Sequence, residues 1–528
     1  MLTSKQDQKY LDKMNNQSII SNKANPEDCH KAKKIKMKNY LLFFLSACFL
    51  FVIPGCSDFL DTELEGRYTS STYFQTEDHA ISAVNSVYDV ASFSSTNNNL
   101  WVFGDVASDD AVKGGNDGDQ SEIGFVDEFA VNADNGVIEN FWKHYYEGIT
   151  RANAVLFYVP QIDMDEALKN QILAEAKFLR AYFYFNLTNV FGEVPLKILP
   201  AFSPDDLHVP LSSIADIYSQ MELDLLEAAE YLPTDNSLGR ATFGAAQGLL
   251  AKVYLFQEKW DDALLAIEKI EENGNYGLLA VYRDNFNIEF ENNIESLFEI
   301  QHLEGQVPSE GTYLSQWFSP NINNGYFFNA PTQSFVDEFE VTSLAVADPR
   351  LEYTIGIDGS MWVDGKIFSP TWSPATGYLS KKNVQNIDVS IIGDAGLNYT
   401  YMRYAEVLLM KAEALNETNK GSETLIPLNQ VRKRARESYL FDTDLQGFGT
   451  IPEEMLDDIE NTDQGFLRNA IRHERRVELG LEFHRFFDLM RYGQQYAENA
   501  LTGTGFSYEL HRFFPIPQSE IDTNSKIN

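Results

Sequence analysis

FGAAQGLLAKVYLFQEKWDDALLAIEKI, residues 243–270, decides the fold. Leu250, Ala251 and Tyr254 stand at helical spacing, and Ala263 and Ile267 continue the pattern in a second helix. The small side chains of Ala251 and Ala263 let the two helices approach, while Tyr254 and Ile267 fill the groove between them. Asp261 or Asp262 is placed to cap the second helix.

This spacing is the core of the tetratricopeptide pattern, L-G/A-x2-Y followed by A-x3-F. Upstream, Gln171–Val190 carries one apolar stripe through Ile172, Ala176, Leu179, Phe183, Leu187 and Val190, and a second through Phe178, Tyr182 and Phe185. A helix apolar on two faces is packed between neighbours. It should stop at Gly192, with Pro195 just beyond. Ser213–Leu232 reads as an amphipathic helix ended by Pro233, and similar helices are predicted at 141–159, 401–417 and 425–437. The segment 467–492 should form two helices broken near Gly480. The uneven spacing of these units excludes a regular solenoid. Between them lie two long polar-aromatic stretches, 92–140 and 307–396, and the second holds Trp317, Trp362 and Trp372. Long loops of this kind in a compact protein usually carry function.

The chain's beginning carries a different signal. Leu41–Ile53 is an apolar run, preceded by Lys31, Lys33, Lys34, Lys36 and Lys38 and followed by Pro54, Gly55 and Cys56. A bilayer span needs about 20 apolar residues, so this shorter run fits a lipoprotein signal cleaved before Cys56. The alternative, a buried N-terminal helix with an incidental cysteine, does not explain the basic flank. Met37 opens a complete signal by itself, so translation is expected to begin there and residues 1–36 to form a non-functional extension. Residues 37–55 are then the signal peptide and 56–528 the mature chain. The three cysteines are Cys29, Cys48 and Cys56, which leaves the mature protein no disulfide and no thiolate metal site. Nine of the 41 basic and four of the 78 acidic residues precede Cys56, so the mature charge is −42. Phosphate must be met by excess Lys and Arg, and this balance argues against a nucleic-acid partner or an anionic lipid surface.

Several runs resemble one family. They are FWKHYYEGITRAN (141–153), AEAKFLRAYFYFNLTNVFGEVPL (174–196), YFFNAPTQSFVDEFE (326–340) with ADPR (347–350), MRYAEVLLMKAEALNE (402–417), IRHERRVELGLEFHRFFDLMRYG (471–493) and FFPIPQSEIDTN (513–524). In this order, after a lipobox, they resemble the SusD/RagB family of outer-membrane nutrient-binding lipoproteins. The resemblance implies a mainly α fold of tetratricopeptide-like helix pairs, an α-α superhelix, with long irregular loops packed on one side. It implies a division of the mature chain into an N-terminal SusD-like part (56–240) and a RagB/SusD C-terminal part (241–528). It implies a non-enzymatic protein, lipid-anchored at Cys56 to the outer membrane and facing the exterior, with Asp58 and Asp61 resembling the family's surface-export signal. It also implies a partner, a SusC-like TonB-dependent transporter, that receives a captured oligosaccharide, with hinge movement against the barrel releasing it inward. A peptide ligand, a surface glycoside hydrolase and a scaffold that binds only the transporter are the alternatives. No cofactor is expected.

A sugar offers a C–H face and a rim of hydroxyls, so its binder needs flat aromatics and a few polar groups. Tyr313, Trp317, Tyr326, Trp362 and Trp372 are the candidate platforms, and Asn116, Asp117 and Asp119 the candidate hydrogen-bonding residues. For each Trp the competing reading is a core or loop-anchoring role. Trp142 and Trp260 lie on helical patterns and read as core, and Trp101 reads either way. HERRVELGLEFH (473–484) fails as a zincin motif because Val477 stands where the second His belongs. Glu474, Arg475, Glu478, Glu482 and Arg485 instead suggest a structural charge network. GGNDGDQSE (114–122) has oxygen ligands and glycines but lacks the EF-hand register, and reads as a solvated acidic loop.

Overall fold

A computed structural model describes residues 73–93, 97–385 and 392–527. Cys56, the signal segment and the N-terminal extension lie outside the described residues. The protein is mainly helical. The long helices are α1 (Glu77–Ser92), α2 (Gly136–Tyr158), α3 (Glu166–Phe191), α4 (Ile214–Tyr231), α5 (Phe243–Leu255), α6 (Trp260–Asn273), α7 (Tyr404–Glu417), α8 (Gly421–Phe441) and α9 (Gln464–Leu479). Each starts where local chemistry allows. Asn135, Asp165, Ser213, Thr242 and Asp463 cap α2, α3, α4, α5 and α9 by accepting a backbone N–H of the first turn.

From α2 to α6 each helix packs on the next, α1 packs on α2 and α3, and α6 meets α7, which pairs with α8 and α9. The two apolar stripes of α3 meet different neighbours: Phe183 packs on Tyr145 of α2, while Phe178, Tyr182 and Phe185 pack on Phe298, Tyr401 and Phe256. Phe178, Leu179, Tyr182, Phe183, Leu187 and Val190 are all fully buried. Each large apolar side chain contributes about 1.5–3 kcal/mol by burial, set against the entropy of ordering it. Ala251, Ala263 and Ile267 are buried between α5 and α6 as their spacing predicts. Asp261 and Asp262 are not caps. Lys259 occupies the N-cap without a side-chain bond, and the two aspartates lie in the first turn, where they favour the helix through its dipole. Trp142 is buried in the core and Trp260 is partly buried against it.

The helix predicted from residue 401 begins at Tyr404. Tyr399–Arg403 instead forms a strand. The strands are β1 (Ala111–Gly114), β2 (Ser296–Ile300), β3 (Phe328–Pro331), β4 (Ile355–Gly356), β5 (Leu379–Ser380) and β6 (Tyr399–Arg403). They pair antiparallel as β1–β3, β2–β6 and β4–β5. The predicted break at Gly480 is present: α9 ends at Leu479 and a short helix, Arg485–Arg491, follows.

Around that break lies a buried charge network. Arg403 binds Glu478 at 2.6 Å, Glu295 at 2.8 Å and Glu482 at 2.8 Å. Arg350 binds Asp348 at 2.7 Å, Glu474 at 2.5 Å and Glu478 at 2.9 Å. Arg434 also reaches Glu295 and Glu478. Burial by itself would raise the Glu478 carboxyl, but Arg434, Arg403 and Arg350 outweigh it and hold Glu478 far below the usual carboxylate range. The charges predicted on 474–485 are thus the hub of a lattice that ties α9 to α8, β2, β6 and the loop before residue 350.

Candidate functional site

The β1–β3 pair builds the floor of the site. Ala111 faces Pro331, Val112 faces Ala330, and Gly114 faces Phe328. This register sets the 115–120 loop beside the turn that precedes β3, and Gly115 N–H donates to Phe327 O at 3.0 Å. Gly115 has φ +70°, and a Cβ there would lie 2.2 Å from the Phe328 ring, so only glycine fits.

The charge lattice fastens this floor to the helices. Arg485 binds Asp109 at 2.7 Å and Arg476 binds Asp110 at 2.7 Å, immediately before β1. Thr332, after β3, donates its N–H to Asp110 O at 2.8 Å and its hydroxyl to Asp109 O at 2.6 Å. Asp105 accepts Asn329 Nδ2 at 2.9 Å and Phe483 N–H at 3.0 Å. Burial pushes Asp105 up to about 8 despite these donors, so it is mostly neutral at pH 7. Burial raises Asp110 to about 6 against the pull of Arg476 and Arg485. At Asp109 the burial effect is outweighed by Arg485 and Arg476, and its carboxyl lies below the ordinary value.

Above the floor the aromatics gather. The short helix Leu314–Phe318 carries Trp317, whose ring lies 6.1 Å from Tyr313 and 5.6 Å from Trp101. The chain then doubles back, with Tyr326 N–H donating to Gln316 O at 2.9 Å, and the Tyr326 ring lies 6.2 Å from Phe328. Tyr313 and Tyr326 are exposed, Trp317 is partly buried, and Trp101 and Phe328 are buried beneath. Gly393 (φ +74°) lies against the Tyr313 ring, 2.3 Å from where a Cβ would stand.

The acidic loop joins this surface. Asn116, Asp117 and Asp119 are exposed, and Asn116 Nδ2 donates to Asp119 Oδ2 at 3.0 Å. Lys113, which sequence reasoning missed, holds the loop. Its Nζ donates to Asp119 O at 2.8 Å and Asn116 O at 3.3 Å, and lies 5.6 Å from the Phe328 ring centre. A lysine directly before the Gly-Gly of a Gly-rich loop is the signal that could have drawn notice.

The remaining two tryptophans differ. Trp362 is 2% exposed, packed on Phe368 at 5.5 Å and against Gly356. It is an anchor of its hairpin and offers no stacking face, which corrects its place among the platforms. Trp372 is partly buried, edge-on to Phe368 at 5.3 Å. The hairpin still reaches the rim: Asp364 accepts Asn323 Nδ2 at 3.0 Å, and Lys366 Nζ bonds Asp364 at 2.6 Å and Asn323 Oδ1 at 3.2 Å. The structure therefore gathers Tyr313, Trp317, Tyr326, Asn116 and Asp119 around one floor, with Asp117 on the same loop, and places Trp362 and Trp372 in a separate hairpin. Such a surface can stack a flat C–H face and offer carboxylate, amide and carbonyl acceptors to hydroxyls.

Comparison with known proteins gives the same direction. Residues 294–528 match the family described as "SusD family", and residues 58–255 match "Starch-binding associating with outer membrane". The chain is similar to SusD-like protein P2 of Formosa agariphila, 26% identical over 532 residues, covering 93% of this chain and 99% of that one. Among solved structures it resembles a laminarin binding SusD-like protein, 28% identical, TM-score 0.71, covering 86% of this chain and 99% of that one. It also resembles a SusD-like carbohydrate binding protein from Bacteroides fragilis NCTC 9343, 25% identical, TM-score 0.74, covering 87% and 100%.

Proposed function

The chain belongs to the SusD family, and we propose that it captures glycans at the cell surface through the Tyr313–Trp317–Tyr326 rim and passes them to a SusC-like TonB-dependent transporter. One observation carries this reading: the β1–β3 register brings loop residues about 200 positions apart into a single aromatic surface edged by Asn116, Asp117 and Asp119. Stacking holds the sugar face and the polar edge selects the hydroxyl pattern, so the action is capture without bond cleavage. The names of the laminarin binding and carbohydrate binding relatives support a glycan over a peptide. In this reading the mature protein begins at Cys56, which carries the lipid that tethers it to the outer face of the outer membrane.

The test is affinity electrophoresis of the mature protein in gels containing laminarin or another neutral polysaccharide. Retardation by at least one glycan, lost in Trp317→Ala/Tyr326→Ala, is the expected result. Retardation that survives this double variant, or release of reducing ends during incubation, would overturn the assignment. Acyl labelling lost in Cys56→Ser tests the anchor.

A further inference from the structure

Every described arginine but two is held in an ion pair with a carboxylate. That is the expected outcome in a chain with 78 acidic and 41 basic residues. The exceptions, Arg472 and Arg512, line the same cavity. Its volume is about 570 Å³, and it lies among the ends of α3, α5, α7 and α9 and the segments 487–493 and 508–513. It shares no residue with the loop site.

Aromatic rings hold both guanidiniums in place of carboxylates. Arg472 lies 4.1 Å from the Tyr492 ring centre and 4.6 Å from that of Tyr496, and those two rings meet edge to face. Arg512 lies 5.0 Å from Phe513 and 5.4 Å from Tyr508. A guanidinium seated on rings is oriented but keeps its N–H edge unspent, and that edge matches a planar or tetrahedral oxyanion. The other charges of the lining cancel. Arg491 binds Glu413 at 2.5 Å and Arg468 binds Glu417 at 2.6 Å, each through both carboxylate oxygens. Glu258, exposed at the lip, is the one lining carboxylate without a described ion pair, so an excess of positive charge remains.

We propose that this cavity is a second ligand site, specific for a small acidic saccharide whose carboxylate or sulfate ester binds Arg472 and Arg512. Its volume falls within the range of small-molecule pockets, far beyond a single inorganic anion. Trp260 and Tyr508 supply flat faces for a sugar ring, the Asn189 amide N–H has no described partner, and Gln257, whose Nε2 is held by Glu222 and Val253 O, offers its carbonyl oxygen. The proposal does not depend on the loop site binding a glycan.

Isothermal titration of the mature protein with a galacturonic acid trisaccharide, a singly sulfated galactose trisaccharide and the uncharged galactose trisaccharide tests it. At least one acidic probe should bind and the neutral one should not, and which acid binds distinguishes uronate from sulfate. Arg472→Gln and Arg512→Gln should each weaken binding about tenfold, as loss of a charge-assisted contact does. Added salt should weaken it further, and Trp317→Ala should leave it unchanged. Arg512 is exposed, so Arg512→Gln carries the test if Arg472→Gln fails to fold. Absence of binding by both acidic probes, equal binding of the neutral one, arginine variants that bind as before, or loss of binding in Trp317→Ala would each overturn the proposal.

Discussion

The lattice around α9 and the rim around Trp317 use polar and aromatic residues in opposite ways. In the lattice, carboxylates and guanidiniums from distant segments neutralise one another out of water. At the rim, aromatics stay half-open and the neighbouring polar groups keep acceptors exposed. The two are joined through Asp105, Asp109 and Asp110, which fix β1 and β3 to the lattice. The comparison teaches that the rim is preorganised by charges it does not contain.

Breaking the lattice should have the largest effect. Glu478→Ala leaves Arg350, Arg403 and Arg434 short of a buried counter-ion, and stripping one partner from such a cluster costs about 3–5 kcal/mol. Denaturant unfolding should report that loss, together with lost ligand binding. A variant with unchanged midpoint would show that the lattice is not what holds the floor. Trp317→Ala with Tyr326→Ala should do the reverse: glycan affinity falls about hundredfold, or about 2–3 kcal/mol, with a smaller shift in the unfolding midpoint. An equal loss of stability and binding would erase the distinction between the two regions.

His473 sharpens the comparison through pH. It contacts Glu338 at 2.7 Å and Glu340 at 3.2 Å, and although burial would lower it, these carboxylates raise it to about 9. A histidine raised in the folded state stabilises fully below its unfolded value near 6.5, and the contribution disappears as pH rises through 9. The thermal midpoint should therefore decline between pH 6.5 and 9, by the equivalent of about 3 kcal/mol. His473→Gln should flatten that limb. Any decline that remains in the variant should end near pH 8 and belong to Asp105, whose raised carboxyl also favours the folded state at lower pH; an unchanged decline between pH 8 and 9 would overturn the assignment to His473. The smallest effect belongs to Lys113→Met, which frees the 115–120 loop from its two carbonyl contacts. A three- to tenfold loss of affinity, about 1 kcal/mol, should appear in titration with a retarded glycan. No change would show that the loop orders itself.

Much of the scaffold was legible because helices are written locally. The stripes of Gln171–Val190 need only neighbours a few residues away, whereas the cap expected at Asp261 or Asp262 falls instead on Lys259. The site was legible only in part. Trp317 and Trp362 stand in equally polar loop sequence, yet one lies at the rim and the other under Gly356. Lys113 gave no periodic signal, because its partners are backbone carbonyls on a turn.

The sequence by itself determined a mainly helical protein, its long polar-aromatic stretches, and a set of charges on 474–485 that had to be satisfied. Tertiary structure decided which carboxylate meets which guanidinium, which tryptophan faces solvent, and that Arg472 and Arg512, neither in a described ion pair, share a cavity. The reason is range. Capping and helical periodicity act within a turn or two, whereas Asp109 meets Arg485, and Gly114 meets Phe328, only after the whole chain has closed around them.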